Sequence, residues 1–486
     1  MSFRCINHGF FLLVFSGVMS YLFLEYIDLN ASCASQHMPK MRSKFKLTKF
    51  QHWLSQLKTV RLPDVSIVNT VWQAVVEKQT YVLSAFHDIR DEPYGSIRIM
   101  AFSSTYQWLL QPRLYCHLWY GQSNISFSYV PATVRIQIDP IREAHNRRYG
   151  PEILTCYLPD IRVPEFVSIS TSNCQIADNL LHIKKPDEQP THSFTVCVAP
   201  LIHNYSNVYQ LTEFIESNRL FGAEHFVFYD YESDPLLYPY LRSYLKEGIM
   251  QLVQWPSIPV YVADGEAEPP PDLHSYGQVV ALADCVYRHM FDSQFVAYID
   301  LDEMIVPRGG HTWRTLIQKA NQQNSLYDRI RLYVPFLPNI QSGAFSFRNR
   351  FFLISKQQVS KVDHLRHLNF SDAMSLITNY HIKSLSVTKA SSKYYPHGVR
   401  SKYIMRPMQV LIPGIHFVFK FYSVNRRMFK FEDDTAMLHH YRYCLPETGA
   451  DVEADDDFTV LAYLDVLLPR IQSRHKFVRS TFNGMH

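Results

Sequence analysis

The chain carries little net charge: 48 Lys and Arg against 44 Asp and Glu leave +4 over 486 residues. A dedicated nucleic-acid binder shows a basic face and a high domain pI, so that class is set aside. The sequence has no internal repeat and no low-complexity tract, which excludes a solenoid or an array. Acid is missing altogether between Asp28 and Asp64, and cysteine is sparse at eight residues. What is abundant is apolar bulk. With 47% hydrophobic and 14% aromatic residues the chain can fill large cores, and its length suggests about two to three domains.

One run is both uncharged and strongly apolar, Gly9 to Leu24 (GFFLLVFSGVMSYLFL). It is a little short of the roughly 20 residues of a spanning helix and near the upper limit of a signal-peptide core. Ala31-Ser32-Cys33 offers small residues for cleavage. The length of the run and the basic, stem-like segment behind it favour an uncleaved anchor. Seven Lys and Arg between Lys40 and Arg61 oppose a lumenal flank under the positive-inside rule, but they start more than a dozen residues from the apolar edge, where that rule is weak. Four N-x-S sequons, at Asn30, Asn124, Asn204 and Asn369, fit a lumenal body. Seven cysteines follow the run, an odd number, and Cys33 is the candidate for the unpaired one. Buried free thiols in a cytosolic protein are the plainer alternative. The residues favour a membrane protein of the secretory pathway, with a tail over 1–8, an anchor over 9–24 and a stem over 25–80.

From Tyr81 to about His182 the apolar pattern has period two, as in SIRIMAF, LYCHLWY, TVRIQI and LTCYL. Alternating runs broken by Pro, Gly and Asn predict an antiparallel β module over 81–183. Cys116 and Cys156 fall on its alternating apolar positions and could pair in its core. KKPDEQP, Lys184 to Pro190, reads as a linker. Beyond it the rhythm changes to strands alternating with helices: FTVCVA, a helix through Val208, Leu211, Phe214 and Ile215 that stops at Gly222, HFVFYD, a helix over about 236–247, IMQLVQW, a helix over about 276–291, and FVAYI. That order predicts βαβ units and a mainly parallel sheet over 191–475.

The fourth strand runs straight into acid: FVAYIDLDEMIVPR. Ligands of open α/β sheets lie beyond the carboxyl ends of the strands, where Asp300 and Asp302 fall. Two residues apart in extended chain, these carboxylates share a side. They suit a hard divalent cation, Mn²⁺ or Mg²⁺, which takes oxygen ligands and shares them with substrate phosphates. The plainer alternative is a solvated acidic strand end. Asp284 and Arg288 form an i, i+4 pair on the preceding helix, either a surface salt bridge or a support behind the triplet.

Several stretches taken in order resemble glycosyltransferase family 92: CVAPLIHNYSNVYQLTEFIESNRLFGAEHFVFYDYESDP, YGQVVALADCVYRHMFDSQFVAYIDLDEMIVPR, PHGVRSKYIMRP and MLHHYRYC. The resemblance spans about Phe194 to Cys444, with the β module also similar. It implies a glycosyltransferase-A fold, Rossmann-like with a mainly parallel sheet, in a type II Golgi membrane protein. It implies transfer from a UDP-sugar, UDP-galactose in characterised members, to a glycan on a glycoprotein or glycolipid. By the same resemblance Asp300 and Asp302 hold the metal, Asp302 as the more direct ligand with Glu303 in support, and Asp300 also faces the donor. His440 of the HYR pattern, rather than His439, closes the metal site, and a helix there would turn the two imidazoles about 100° apart.

Arg400 and Lys402 are candidates for the donor phosphates, or are a solvated basic loop. Inversion also needs a carboxylate base. Between Glu303 and His440 the chain offers six acids, of which Asp433 and Asp434, ahead of Glu432, are the candidates. Their alternative role is capping a helix start. Two rival readings remain. IDLDEMIV also resembles the nucleophile motif of haloacid dehalogenase-like phosphohydrolases, though Glu303-Met304 depart from that pattern. A membrane-anchored lectin built on the β module would bind sugar without turnover.

Overall fold

The computed structural model describes residues 71–105, 113–120, 143–172, 177–186, 191–260, 271–333, 341–354, 371–443 and 453–482, with strand pieces at 59–60, 127–128, 134–135 and 137–140. The apolar run 9–24, most of the stem, Cys33 and the sequons at Asn30, Asn124 and Asn369 lie outside the described residues. Among the described residues no helix is long and apolar enough to cross a membrane.

The period-two segments form antiparallel strands. Thr80–Asp88 pairs with Ser96–Ser104, which pairs with Tyr149–Tyr157, within a nine-stranded sheet. Ile97, Ile99, Leu154 and Val167 fill one core of the module, where Cys116 and Cys156 are joined as a disulfide. The opposite positions, Leu83, Phe86, Met100 and Phe102, enter a different core, shared with Tyr229, Trp255, Val280 and Tyr287 of the next unit. Both faces of this sheet are therefore buried, and the module is welded to its neighbour by apolar contact. Asp284 completes the weld. Its carboxylate, 1% exposed, accepts from Ser84 Oγ at 2.6 Å, from Tyr229 OH at 2.7 Å and from Arg288 at 2.9 Å. Neither sequence reading of Asp284 holds: it is a buried joint between units, not a surface pair and not a prop behind the acidic triplet.

The second unit is built on a seven-stranded sheet in the order Met250–Gln254, His225–Asp230, His192–Cys197, Ser293–Tyr298, Lys402–Met405, Gln341–Phe347, Arg426–Lys430. The first four are parallel, in the chain order third, second, first, fourth. Lys402–Met405 then runs antiparallel to Ser293–Tyr298, so the sheet is mixed beyond those four strands. Helix Val208–Phe221 begins where the Asn207 side chain accepts the Gln210 amide at 3.0 Å and ends at Gly222, whose φ of 123° an L side chain rarely adopts. It buries Leu211, Phe214 and Ile215 against the sheet. A second disulfide, Cys197–Cys285, ties the first parallel strand to helix Gln278–Arg288.

A smaller five-stranded sheet follows the order Glu303–Pro307, Ala436–Tyr443, Asn349–Ile354, Lys389–Tyr395, Ala454–Asp456. The stretch AMLHHYRY is thus a strand and not the helix its spacing suggested. Its β-prone aromatic residues pair on both sides, with Glu303–Pro307 and with Asn349–Ile354.

Candidate active site

In the sheet's spatial order the chain reverses between its first and fourth parallel strands, which opens a crevice at their carboxyl ends. Residues 300–303 turn there, with Glu303 N–H donating to the Asp300 carbonyl at 3.0 Å. The turn joins the two sheets, because Ser293–Tyr298 belongs to the large one and Glu303–Pro307 to the small one. Register then delivers the histidine: Glu303 stands opposite His440 in the antiparallel pair.

His440 Nε2 lies 3.2 Å from Asp302 Oδ2, and its Nδ1 lies 3.1 Å from Glu303 Oε1 and 3.1 Å from the Asn349 amide nitrogen. Burial alone would lower the imidazole's pKa, but its hydrogen bonds to the Asp302 and Glu303 carboxylates more than offset this and raise it to about 9. Burial would raise Asp302, and its bond with His440 instead brings it below the usual carboxylate range. His439 points the other way. It is fully buried, stacked on Phe352 at 4.1 Å, and burial lowers it to about 3. In a strand the two neighbours face opposite sides, so the separation expected from a helix is reached, and sharpened, by a different geometry.

The donor set fits a divalent cation. Two ligands about 2.1 Å from one ion at right angles stand about 3.0 Å apart, close to the Nε2–Oδ2 spacing. Glu303 on the far nitrogen stands where a carboxylate would orient a metal-bound imidazole. Among the described residues no three His, Cys, Asp or Glu side chains form a ready cage. A pair of protein ligands, completed by phosphate and water, is the arrangement hard cations of this kind use.

Asp300 is engaged elsewhere. Its Oδ2 accepts from Lys402 Nζ at 2.7 Å and its Oδ1 from Gln278 Nε2 at 3.2 Å. Lys402 itself is fully buried, 3.4 Å from Glu303 Oε2 and 4.6 Å from the Tyr298 ring centre. This corrects the expectation of a phosphate contact: as the first residue of a central strand, its ammonium points inward and neutralises two carboxylates. Arg400 remains exposed, over the rings of Phe351 and Tyr395 at 5.5 and 5.4 Å. Phe351 in turn meets the His440 ring edge-on at 5.0 Å, so Arg400 overlooks the site across one aromatic ring.

Asp433 and Asp434 are not brought to this place. They occupy the turn before Ala436, and the four strand steps from Ala436 to His440 span about 13 Å. Asp433 pairs with Arg348 at 2.7 Å, and Asp434 accepts from Thr435 Oγ1 at 3.0 Å. The acids start a strand, not a helix, and lie outside the reach of a base acting beside Asp302. Asn204, in the loop after the first parallel strand, is exposed, and its amide donates to Asp234 at 3.1 Å.

Sequence reasoning missed the opposite rim of the crevice. Ser275, Tyr276 and Gly277 are three successive left-handed residues, at φ of 46°, 56° and 76°, and His203 and Asn204 are two more, at 58° and 49°. Such strain persists where surrounding structure holds it for a purpose. Here it brings the Tyr276 ring against His203 at 5.3 Å and Tyr231 at 5.0 Å. Gln278, the next residue, is the one that holds Asp300. HSYGQ carries no one-dimensional signal for this beyond its glycine.

A family model, glycosyltransferase family 92, matches residues 192–466. Two Caenorhabditis elegans proteins named as members of that family are 31% identical over 114 residues and 27% identical over 121. Each match covers 23% of this chain, and 22% and 23% of the respective relative. The C. elegans beta-1,4-galactosyltransferase galt-1 is 24% identical over 272 residues, 52% of this chain and 58% of that protein. The chain therefore spans less than two thirds of the length of each of these relatives. Among solved structures, S. aureus TarS 1-349 in complex with UDP-GlcNAc aligns at 14% identity over 60% of this chain and 74% of that one, with a TM-score of 0.23. Mycobacterium tuberculosis glucosyl-3-phosphoglycerate synthase aligns at 12% identity over 58% and 80%, with a TM-score of 0.20. Likenesses as faint as these two carry no weight below. The family match runs over more than half of the 486 residues, and on that ground the chain belongs to glycosyltransferase family 92.

Proposed function

We propose that the protein is a glycosyltransferase of the glycosyltransferase-A architecture that moves galactose from UDP-galactose, with inversion and in β linkage, onto a glycan acceptor. One observation carries the reading: Asp302 and His440 present an oxygen and a nitrogen 3.2 Å apart at the carboxyl end of the sheet. Mn²⁺ or Mg²⁺ on these two ligands would supply neutralisation of the negative charge on the departing diphosphate. Glu303 holds the His440 ring by its far nitrogen, and Arg400 adds a fixed positive charge beside the phosphates. Lys402 and Gln278 fix Asp300 so that the turn keeps its shape. The aromatic rim of Tyr231 and Tyr276 gives the nucleobase a face to stack on.

A family 92 match sets the phosphohydrolase reading aside, and the lectin reading is weakened by a β module that shares its core with the sheet. Two disulfides and the apolar run at residues 9–24 support a single-pass, type II Golgi membrane protein with its body in the lumen. The test is donor consumption by the purified chain with UDP-galactose, UDP-glucose or UDP-N-acetylglucosamine and a glycan panel, with Mn²⁺ and with chelator. Transfer is expected with UDP-galactose and is expected to stop on chelation. Binding of glycans with no donor consumed would return the lectin reading.

A further inference from the structure

A cleft of about 260 Å³ opens between the first turn of helix Val208–Phe221 and the segment that runs from helix Ser371–Asn379 to the short helix Lys383–Ser386. Asn207, Tyr209, Thr378, His381, Lys383 and Tyr443 line it. We propose that this cleft is the acceptor subsite and takes a single neutral pyranose ring of the glycan, an assignment that rests on the glycosyltransferase reading above.

Position is the first argument. Lys383 is a wall shared with a small neighbouring pocket of about 20 Å³ lined by Gln210, Asp302, Glu303 and Tyr441. Tyr443 lies on the strand of His440, three residues further on and so about 10 Å away, on the face of Tyr441, which lines the small pocket with Asp302. The cleft thus adjoins the acidic turn through the shared wall of Lys383, within reach of an acceptor that meets a donor held there.

Chemistry is the second. The lining combines two phenol rings with amide, hydroxyl, imidazole and ammonium groups, and no carboxylate side chain is among its residues. Tyr rings offer a flat, half-apolar face that suits the C–H face of a pyranose, and the polar groups suit its hydroxyls. Tyr443 is 60% exposed with the Lys383 ammonium 5.6 Å from its ring centre, an open platform at the mouth. Tyr209 is held by His381 at 5.0 Å and His475 at 5.1 Å.

The third argument is rigidity. His381 adopts a left-handed φ of 48° between the two helices, a strained conformation for a residue with a side chain. The buried Glu213 carboxylate accepts the Lys383 and Ser384 backbone N–H groups at 3.1 and 2.6 Å and fixes the segment from below. A volume near the lower end of ligand pockets, about 300 Å³, suits one ring and not a long chain.

The experiment fills the cleft. Thr378 is exposed, so Thr378→Trp fills space without disturbing a core, and Tyr443→Ala removes the platform. Saturation-transfer NMR with the methyl glycosides of galactose, glucose, mannose, N-acetylglucosamine and fucose reads binding directly, with no donor present. At least one glycoside is expected to bind the wild-type chain and to lose tenfold or more of its affinity in both variants. With that same glycoside as acceptor, KM should rise at least tenfold in both variants. No glycoside bound by the wild type, or binding unchanged in both variants, overturns the assignment. Intact glycoside binding with no donor consumed by the wild type would instead overturn the transferase reading and leave the cleft a sugar site.

Discussion

Lys402→Met tests whether this ammonium belongs to the protein's interior or to a substrate. The substitution keeps an unbranched stem of similar length and deletes the charge. In the folded protein Lys402 is fully buried, 2.7 Å from Asp300 and 3.4 Å from Glu303, and these two charges hold its pKa up although burial alone would lower it. Removing one member of a buried pair leaves an uncompensated charge and costs about 3–5 kcal/mol. Asp300 keeps 29% of its side-chain surface and can rehydrate, whereas Glu303 keeps 2% and cannot, which places the expected loss near the lower end, about 3 kcal/mol. Urea unfolding followed by tryptophan fluorescence measures it. Because the charge on Glu303 is the problem, Lys402→Met combined with Glu303→Gln should recover part of the loss. Unchanged stability together with a tenfold fall in UDP affinity would refute the argument and show that the ammonium faces the diphosphate.

Four further outcomes are expected. Asp302→Asn, which keeps shape and removes charge, should abolish Mn²⁺-dependent transfer with little change in unfolding midpoint; retained transfer would remove Asp302 from the site. His440→Ala should raise the Mn²⁺ needed for half-maximal activity by about 10- to 100-fold, the scale of a disturbed metal shell, whereas His439→Ala should cost stability and leave the Mn²⁺ requirement alone. Protons compete with metal at an imidazole raised to about 9, so Mn²⁺ affinity measured by calorimetry should climb close to tenfold per pH unit from 6.5 to 8.5, and a flat profile would count against His440 as ligand. Asp284→Asn, at the joint with Ser84, should lower stability by about 3 kcal/mol without altering donor KM.

The βα alternation was legible because each element is local. Period-two runs, a 3.6-residue apolar stripe and a glycine stop are written within a dozen residues, and Val208 to Phe221 and His225 to Asp230 follow them closely. The acidic turn was legible for the same reason, since it directly follows a buried strand. Failures came where neighbours far along the chain decide. Lys402 looks like loop charge until its strand is seen to enter a sheet centre, 102 residues from Asp300. Ser84 and Asp284 are 200 residues apart, and nothing near either one announces the other. Cys197 and Cys285 are 88 apart, and neither residue's own pattern marks a partner.

The histidine pair shows how a correct residue can be reached through a wrong element. Read as a helix, AMLHHYRY separates His439 from His440 by about 100°, enough to give them different surroundings. As a strand it separates them by a half-turn, and the partner strand decides which one faces the acids. Glu303 is paired with His440 and Met304 with His439, so a slip of one residue would deliver His439 to Asp302 and bury His440 against Phe352. What prevents the slip is packing on both faces of the strand, where Leu438 on the face of His440 and Met437 on the face of His439 are fully buried. The imidazole at the site is therefore chosen by packing that never touches a ligand. Polar replacement of Leu438 should disturb metal binding as well as stability, through register alone.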